Sequence, residues 1–228
     1  MAMQLDNIVP FGRCLDEYVR TFALSAEDLG KRLIGVGDGP ASFNAEMQAS
    51  GRTMVSVDPL YAWDGAQIAA RFEAVVDTIL KQVIATPNDW VWAYHRTPAQ
   101  LRLLRVAVLE RFLGDYEDGK AAGRYVVGAL PTLNDGDDRF DLALCSHLLF
   151  LYSDHLSYDF HRASVLEMLR VAPELRIFPI LTLAREISPY VQPLVLELRA
   201  AGFVVTLARV DYELQRGGNQ MLRIQRPA

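Results

Sequence analysis

Seven short apolar runs, most of them rich in β-branched residues and most separated by enough chain for a helix, restrict this sequence to one class of fold. They are "RLIGV" (32–36), "TMVSV" (53–57), "RYVVG" (124–128), "FDLALC" (140–145), "LRIFPI" (175–180), "FVVTLAR" (203–209) and "MLRIQ" (221–225). Such runs alternating with helical patterns predict an α/β protein with a mostly parallel sheet flanked by crossover helices. Only the turn-like "QRGGNQ" separates the last two, so they are expected to pair as an antiparallel hairpin and to end the sheet with a reversed strand. At 228 residues and 51% hydrophobic the chain is long enough for one generous core, and no repeat, low-complexity tract or linker divides it. A single domain over 1–228 is expected.

One interval breaks the rhythm. Between the second and third runs lie roughly 65 residues, far beyond an ordinary connection, and a helical insertion of about 61–122 is expected there. Ile68, Phe72, Val75, Val76, Ile79, Leu80, Val83 and Ile84 recur at the helical period, with Asp64 placed to cap the start. A second helix opens at "TPAQ": Thr97 is the cap, Pro98 sits in the first turn and Gln100 closes a capping box, with Leu101, Leu104, Val108 and Phe112 on the inner face. The insertion suits either a lid or extra packing at one sheet edge.

Charge narrows the partners. A net charge of −5 supplies no general attraction to phosphate backbones or anionic lipid. Arg96, Arg102, Arg105, Arg111, Lys120 and Arg124 are interleaved with Glu110, Asp115, Glu117 and Asp118, which reads as a mixed solvated surface. No nucleic-acid partner is expected. The opening "MAMQLDNIVPFGR" lacks a signal-peptide layout, and no apolar run approaches the ~18 residues of a membrane span. Two distant cysteines, Cys14 and Cys145, each in apolar company, fit buried thiols in a reducing compartment, so a cytoplasmic location is expected, with no membrane association.

The densest local signal is "LIGVGDGPASF" (33–43), where three glycines and a proline leave an apolar strand and enter a helical pattern. Ligands of open parallel sheets bind at such strand ends, because glycine allows positive φ and leaves no Cβ between backbone and ligand. The spacing G-x-G-x-x-G does not fit, whereas G-x-G-x-G/A fits as Gly37, Gly39 and Ala41, favouring a nucleoside ligand over NAD; a purely steric turn is the other reading. Asp58, closing the second run about 20 residues later, is placed to accept ribose hydroxyls, or with Pro59 simply to begin a turn.

Three segments together resemble the class I S-adenosylmethionine-dependent methyltransferases. "IGVGDGPASF" is similar to the first motif of that family, "VSVDP" to its ribose-binding motif, and "ALPTLNDGDDRFDLALCSHLLFLY" to its passage into and beyond the fourth strand. The resemblance implies a Rossmann-like seven-stranded sheet with a reversed last strand and S-adenosylmethionine as cofactor. It assigns the cofactor to Gly37, Asp38, Gly39, Ala41, Asp58, Pro59 and Leu130, with Ser146 beside the methionine part. The sequence departs from the family twice. Gly35 stands where an acidic residue precedes the loop, and Gly128 and Ala129 stand where an aspartate meets the adenine, leaving backbone groups, Asn134 or Asp135 for that contact.

Methyl transfer is an in-line displacement that chiefly needs donor and acceptor held in line, plus a base when the acceptor carries a proton. His147, just past the fourth run in "CSHLLFLY", is the expected base, against a structural histidine at a strand end; Tyr152 is an acceptor-side candidate. His147, His155 and His161 lack the convergent spacing of metal ligands, so no metal is expected. His95 lies among Trp90, Trp92 and Tyr94, in a packed segment or a lid. Leu15, Val19 and Phe22 suggest an N-terminal amphipathic helix, whose Arg13 or Tyr18 can meet the donor carboxylate or simply solvate the helix. The Asn- or Asp-Pro-Pro-aromatic element that amino-group methylases of nucleic acids and glutamine share does not occur, so the resemblance implies a small-molecule acceptor. A noncatalytic nucleoside-binding module on the same fold remains the alternative.

Overall fold

The fold is described for residues 9–227 by a computed structural model; the first eight residues of the N-terminal stretch read above lie outside that range. Seven strands form one sheet: β1 (Leu33–Val36), β2 (Met54–Val57), β3 (Tyr125–Val126), β4 (Leu142–Ser146), β5 (Glu174–Phe178), β6 (Val204–Arg209) and β7 (Gln220–Gln225). Their order is β3-β2-β1-β4-β5-β7-β6. All pairs from β3 to β5 are parallel, while β7 runs antiparallel to both β5 and β6. The expected hairpin therefore exists, but its second strand inserts between β5 and β6 and leaves β6 at the edge.

Six α-helices accompany the sheet: α1 (Leu15–Phe22), α2 (Phe43–Ala49), α3 (Gly65–Ala85), α4 (Pro98–Ala121), α5 (Tyr158–Val171) and α6 (Val191–Ala200). Because side chains alternate along a strand, Leu33 joins a core with Phe22, Phe43 and Met47 of α1 and α2, whereas Ile34 joins one with Val165 and Leu194 of α5 and α6. Both sheet faces are thus covered, which is why the central runs are apolar throughout. β3, at the edge, pairs only through Tyr125 and Val126, and the predicted run to Gly128 ends early because Val127 turns out to solvent.

The long interval between β2 and β3 holds α3 and α4. Asp64 and Gln67 close a full capping box on α3; at α4 Thr97 Oγ1 accepts from the Gln100 backbone N–H, the Thr97 half of the expected box. Ile68, Phe72, Val76, Ile79, Leu80 and Val83 are buried as their period predicts, but Ile84 has rotated to the solvent side. Tyr61, Phe112, Tyr116 and Tyr125 join these helices to the sheet edge as a cluster of stacked, tilted and edge-on rings.

One sequence reading holds and one is corrected here. Phe22 of α1 is buried and Leu15 and Val19 pack half-buried against the same core, with Glu17, Tyr18 and Thr21 buried beside them. Arg105 is no surface residue: it is among the most buried side chains and forms a two-pronged ion pair with Glu17, Nη1 to Oε2 at 2.6 Å and Nη2 to Oε1 at 2.5 Å. Its Nη1 also donates to the Gly12 carbonyl. Burial alone would raise the Glu17 carboxyl, but the charge and hydrogen bonds of Arg105, helped by His95 and Arg13, hold it well below the usual carboxylate range. Removing one partner of such a pair strands the other charge. Arg105→Met is expected to lower the urea-unfolding free energy by ~3–5 kcal/mol; a loss below ~1 kcal/mol would show that the pair does not hold α4 to α1.

Candidate functional site

The carboxyl ends of β1, β2 and β4 lie side by side, and the glycine turn leaves from the middle of them. Gly37 (φ 74°) and Gly39 (φ 54°) both take the left-handed conformation, and the Gly37 N–H donates to the Val57 carbonyl of β2. A Cβ on Gly39 would point into open space, whereas one on Gly37 would meet the Leu148 side chain at 2.5 Å. Asp58 reaches this turn directly. Its Oδ2 accepts from the Gly39 N–H at 2.8 Å and its Oδ1 from the Leu60 N–H at 2.8 Å, capping the short 3-10 turn Pro59–Ala62. Burial raises its pKa, and those two N–H groups oppose the rise. Each oxygen keeps a further lone pair.

The acid missing at position 35 returns from position 38. An added Cβ on Gly35 would lie 1.9 Å from Asp38 Oδ2, so the glycine makes room for that carboxylate. Asp38 points inward: Oδ1 accepts from the Tyr18 hydroxyl at 2.6 Å and Oδ2 from the Ser56 hydroxyl at 2.7 Å. Only its main chain is left to face a ligand. Tyr18, one of the two N-terminal candidates for the donor carboxylate, is thereby committed to the underside of the turn. Ala41 is buried beneath the segment before α1, where Gly12 lies against the backbone of Pro40 and Ala41 and the Ser42 N–H donates to the Arg13 carbonyl.

Farther along the strand ends, Pro59 and Ala129 are exposed and Leu130 is buried after β3. Asn134 is exposed, and Asp135 is engaged by Arg139 at 2.6 Å. At the end of β4, Ser146 Oγ lies 2.9 Å from His147 Nδ1. His147 itself is left-handed (φ 55°), a conformation uncommon for a residue with a side chain, and its N–H donates to the Phe178 carbonyl. Burial, followed by the charges of Arg13 and Arg105, pushes its pKa well below the ordinary histidine value, so the ring is neutral.

His147 opens onto a cavity of about 110 Å³. Ile79 and Val83 of α3, Trp90, and Leu101 of α4 give it apolar walls, so the insertion helps to build it. Tyr152, Phe178, Leu183, Tyr212 and Gln215 approach from the other strand ends, and Phe11 and Arg13 from the N-terminal segment. Gly37, Gly39 and Asp58 do not line it. Consecutive residues thus face two compartments, Leu148 covering the glycine turn and His147 the cavity.

The other histidines have structural partners. His161 Nε2 accepts from the Phe150 N–H and its Nδ1 faces the Ser157 carbonyl, fixing the tautomer with Nδ1 protonated. His95 Nε2 meets the Tyr212 hydroxyl at 2.9 Å beside Glu17, in the packed position and not in a lid. Among the described residues no cluster of His, Cys, Asp and Glu is arranged to hold a metal ion, and no helix is long and apolar enough to cross a membrane. Cys14 and Cys145 are free, the first half-buried and the second buried.

Sequence reasoning missed Arg105, Glu17 and Trp90 as builders of this region. The signal that bears on them is weak: an arginine on the apolar face of α4 and a glutamate on the buried face of α1.

Asp38 offers a direct check. Burial, with a smaller push from Asp58, raises its pKa to about 6 against hydrogen bonds from Tyr18 and Ser56. A carboxyl raised on folding contributes stability that is complete below its unfolded pKa of 3.8 and is lost as pH climbs through about 6. The loss should amount to ~3 kcal/mol between those limits. A carbon-13 NMR titration of the Asp38 carboxyl should show its midpoint near 6; a midpoint at the ordinary value would refute the inward burial.

No protein-family model matches the chain. Among solved structures it is similar to magnesium protoporphyrin IX methyltransferase from Synechocystis PCC 6803 with bound SAM, at TM-score 0.48 and 14% identity, covering 93% of this chain and 78% of that one. It is also similar to the PH0226 protein from Pyrococcus horikoshii OT3, at TM-score 0.47 and 12% identity, covering 93% and 89%. In sequence it is 32% identical over 225 residues to the uncharacterized protein MJ0045 of Methanocaldococcus jannaschii, across 98% of this chain and 99% of that relative. An identity of that level along essentially both full lengths means that the chain belongs to the same family as the M. jannaschii protein.

Proposed function

We propose that this protein is an S-adenosylmethionine-dependent methyltransferase acting on a small molecule. The observation that carries the reading is the division made by residues 146–148. On one side stands a left-handed glycine turn bonded to the strand-end carboxylate Asp58; on the other stands an apolar-walled cavity with a neutral histidine. The reversed β7 and the order β3-β2-β1-β4-β5-β7-β6 agree with that reading.

The residues present fit the cofactor. Open space above Gly39 admits a nucleoside close to the backbone. Asp58 holds one lone pair on each oxygen for ribose hydroxyls after bonding Gly39 and Leu60. Pro59 and Leu130 follow β2 and β3, and Ser146 ends β4 with its Oγ 2.9 Å from His147 Nδ1. The sulfonium, when bound, supplies an electrophilic methyl group. The chain's own work is to align an acceptor with it, to exclude water through Ile79, Trp90, Leu101 and Phe178, and to take up a proton at the neutral His147 ring where the acceptor carries one. Tyr152, whose hydroxyl accepts from the Val9 N–H, borders the same space as an acceptor-side group.

Two measurements test this. Asp58→Ala should weaken S-adenosylhomocysteine binding by ~1–3 kcal/mol in calorimetry; unchanged affinity would remove Asp58 from the cofactor site, and wild-type binding without transfer of a labelled methyl to any metabolite of a broad panel would leave a noncatalytic nucleoside-binding module. Once an acceptor is found, His147→Ala should depress kcat far more than KM, and the ascending limb of wild-type kcat/KM should lie below the ordinary histidine value of 6.5. A limb that persists unchanged in the variant would exclude His147 as the base.

A further inference from the structure

The cavity beside His147 contains an unbalanced charge. Arg13 is the single charged residue among the described residues that line it. Its Nη1 donates to the Phe11 carbonyl at 2.7 Å, its Nε is buried with no hydrogen-bond partner, and among the described residues it forms no ion pair. The nearby carboxylate cannot serve it. Glu17 is saturated: Oε1 accepts from Arg105 and from the Tyr212 hydroxyl at 3.0 Å, and Oε2 accepts from Arg105 and from the Cys14 N–H at 3.1 Å. Two arginines therefore share one carboxylate, and Arg105 holds it from both sides. The remaining polar lining is neutral: His147, Tyr152, Tyr212, and Gln215, whose amide nitrogen is turned to the Thr182 and Leu183 carbonyls.

A partly buried guanidinium with no counter-ion among the described residues is costly, and an arginine fork matches a planar carboxylate. We propose that this cavity takes a small carboxylic acid with an apolar body, its carboxylate received by Arg13 and its body packed against Phe11, Ile79, Trp90, Leu101 and Phe178. That this acid is the methyl acceptor rests on the methyltransferase reading. One arginine beside a neutral histidine balances a monoanion, whereas a phosphate dianion would be left half-neutralised. The donor's own carboxylate is the other source of the same chemistry. The lining argues against it, since Arg13 lines the cavity together with Ile79, Val83 and Leu101 of α3 and α4, and none of Gly37, Gly39 or Asp58 borders it.

The test uses the full chain, with benzoate and its uncharged isostere benzamide as probes and S-adenosylhomocysteine as a separate ligand, all by calorimetry. Benzoate should bind at least about tenfold more tightly than benzamide. Arg13→Met should erase that preference while leaving S-adenosylhomocysteine affinity unchanged, and Arg13→Gln, which keeps donors but no charge, should erase it too if the methionine variant does not fold. Equal binding of the two probes, no benzoate binding at millimolar concentration, or a preference that survives the loss of Arg13 would overturn the proposal. So would a parallel loss of S-adenosylhomocysteine affinity in the Arg13 variants, which would give the residue to the donor. If the wild type binds no S-adenosylhomocysteine yet shows the Arg13-dependent benzoate preference, the methyltransferase reading falls and the carboxylate pocket stands.

Discussion

The Glu17 carboxylate, buried and gripped from two directions by Arg105, is the contact on which the geometry of the site depends. Glu17 belongs to the helix before the sheet, and Arg105 to a helix inserted between β2 and β3. Their ion pair fixes the insertion against the N-terminal segment, and the Gly12 carbonyl, the Cys14 N–H and the Tyr212 hydroxyl gather around the same two side chains. Buried charges persist when their lone pairs and protons are filled, and nearly all of these are. The Arg105 Nε and the His95 Nδ1 are the unfilled exceptions in this cluster. Three contributors to the cavity wall, α4, the β6–β7 connection at Tyr212 and the segment around Gly12, are tied together by that network.

The same network explains the electrostatics beside it. The Glu17 oxygens are occupied by Arg105, the Tyr212 hydroxyl and the Cys14 N–H, so the second arginine of the region, Arg13, makes no hydrogen bond to it among the described residues. The two positive charges help to hold His147 in its neutral form, a state suited to receiving a proton. A structural ion pair and the character of the neighbouring cavity are therefore aspects of one charge arrangement. The glycine turn shows a comparable economy on the other side of residues 146–148. Asp38 folds back over Gly35 to bond Tyr18 and Ser56, fastening the turn from beneath, while Asp58 fastens it from above through the Gly39 N–H.

Much of this was legible in the sequence, for local reasons. Apolar runs buried on both faces announce parallel strands whatever surrounds them, and the caps Asp64 and Thr97 act within one helical turn, so their positions could be read from neighbouring residues. Ile84 was misread because periodicity tells that a face exists and not which residues at its margin meet a partner.

The sequence alone determined the α/β class, the reversed hairpin, the two inserted helices, and the pairing of a glycine turn with Asp58, since each depends on spacing along a short stretch of chain. Tertiary structure alone decided that β7 lies inside the sheet, that Asp38 turns inward, that Arg105 is buried, and that Arg13 has no counter-ion among the described residues. These outcomes join residues as far apart as Glu17, Arg105 and Tyr212. Charge compensation is settled by distance in space, and a charged residue's partner has no signature in the residues beside it.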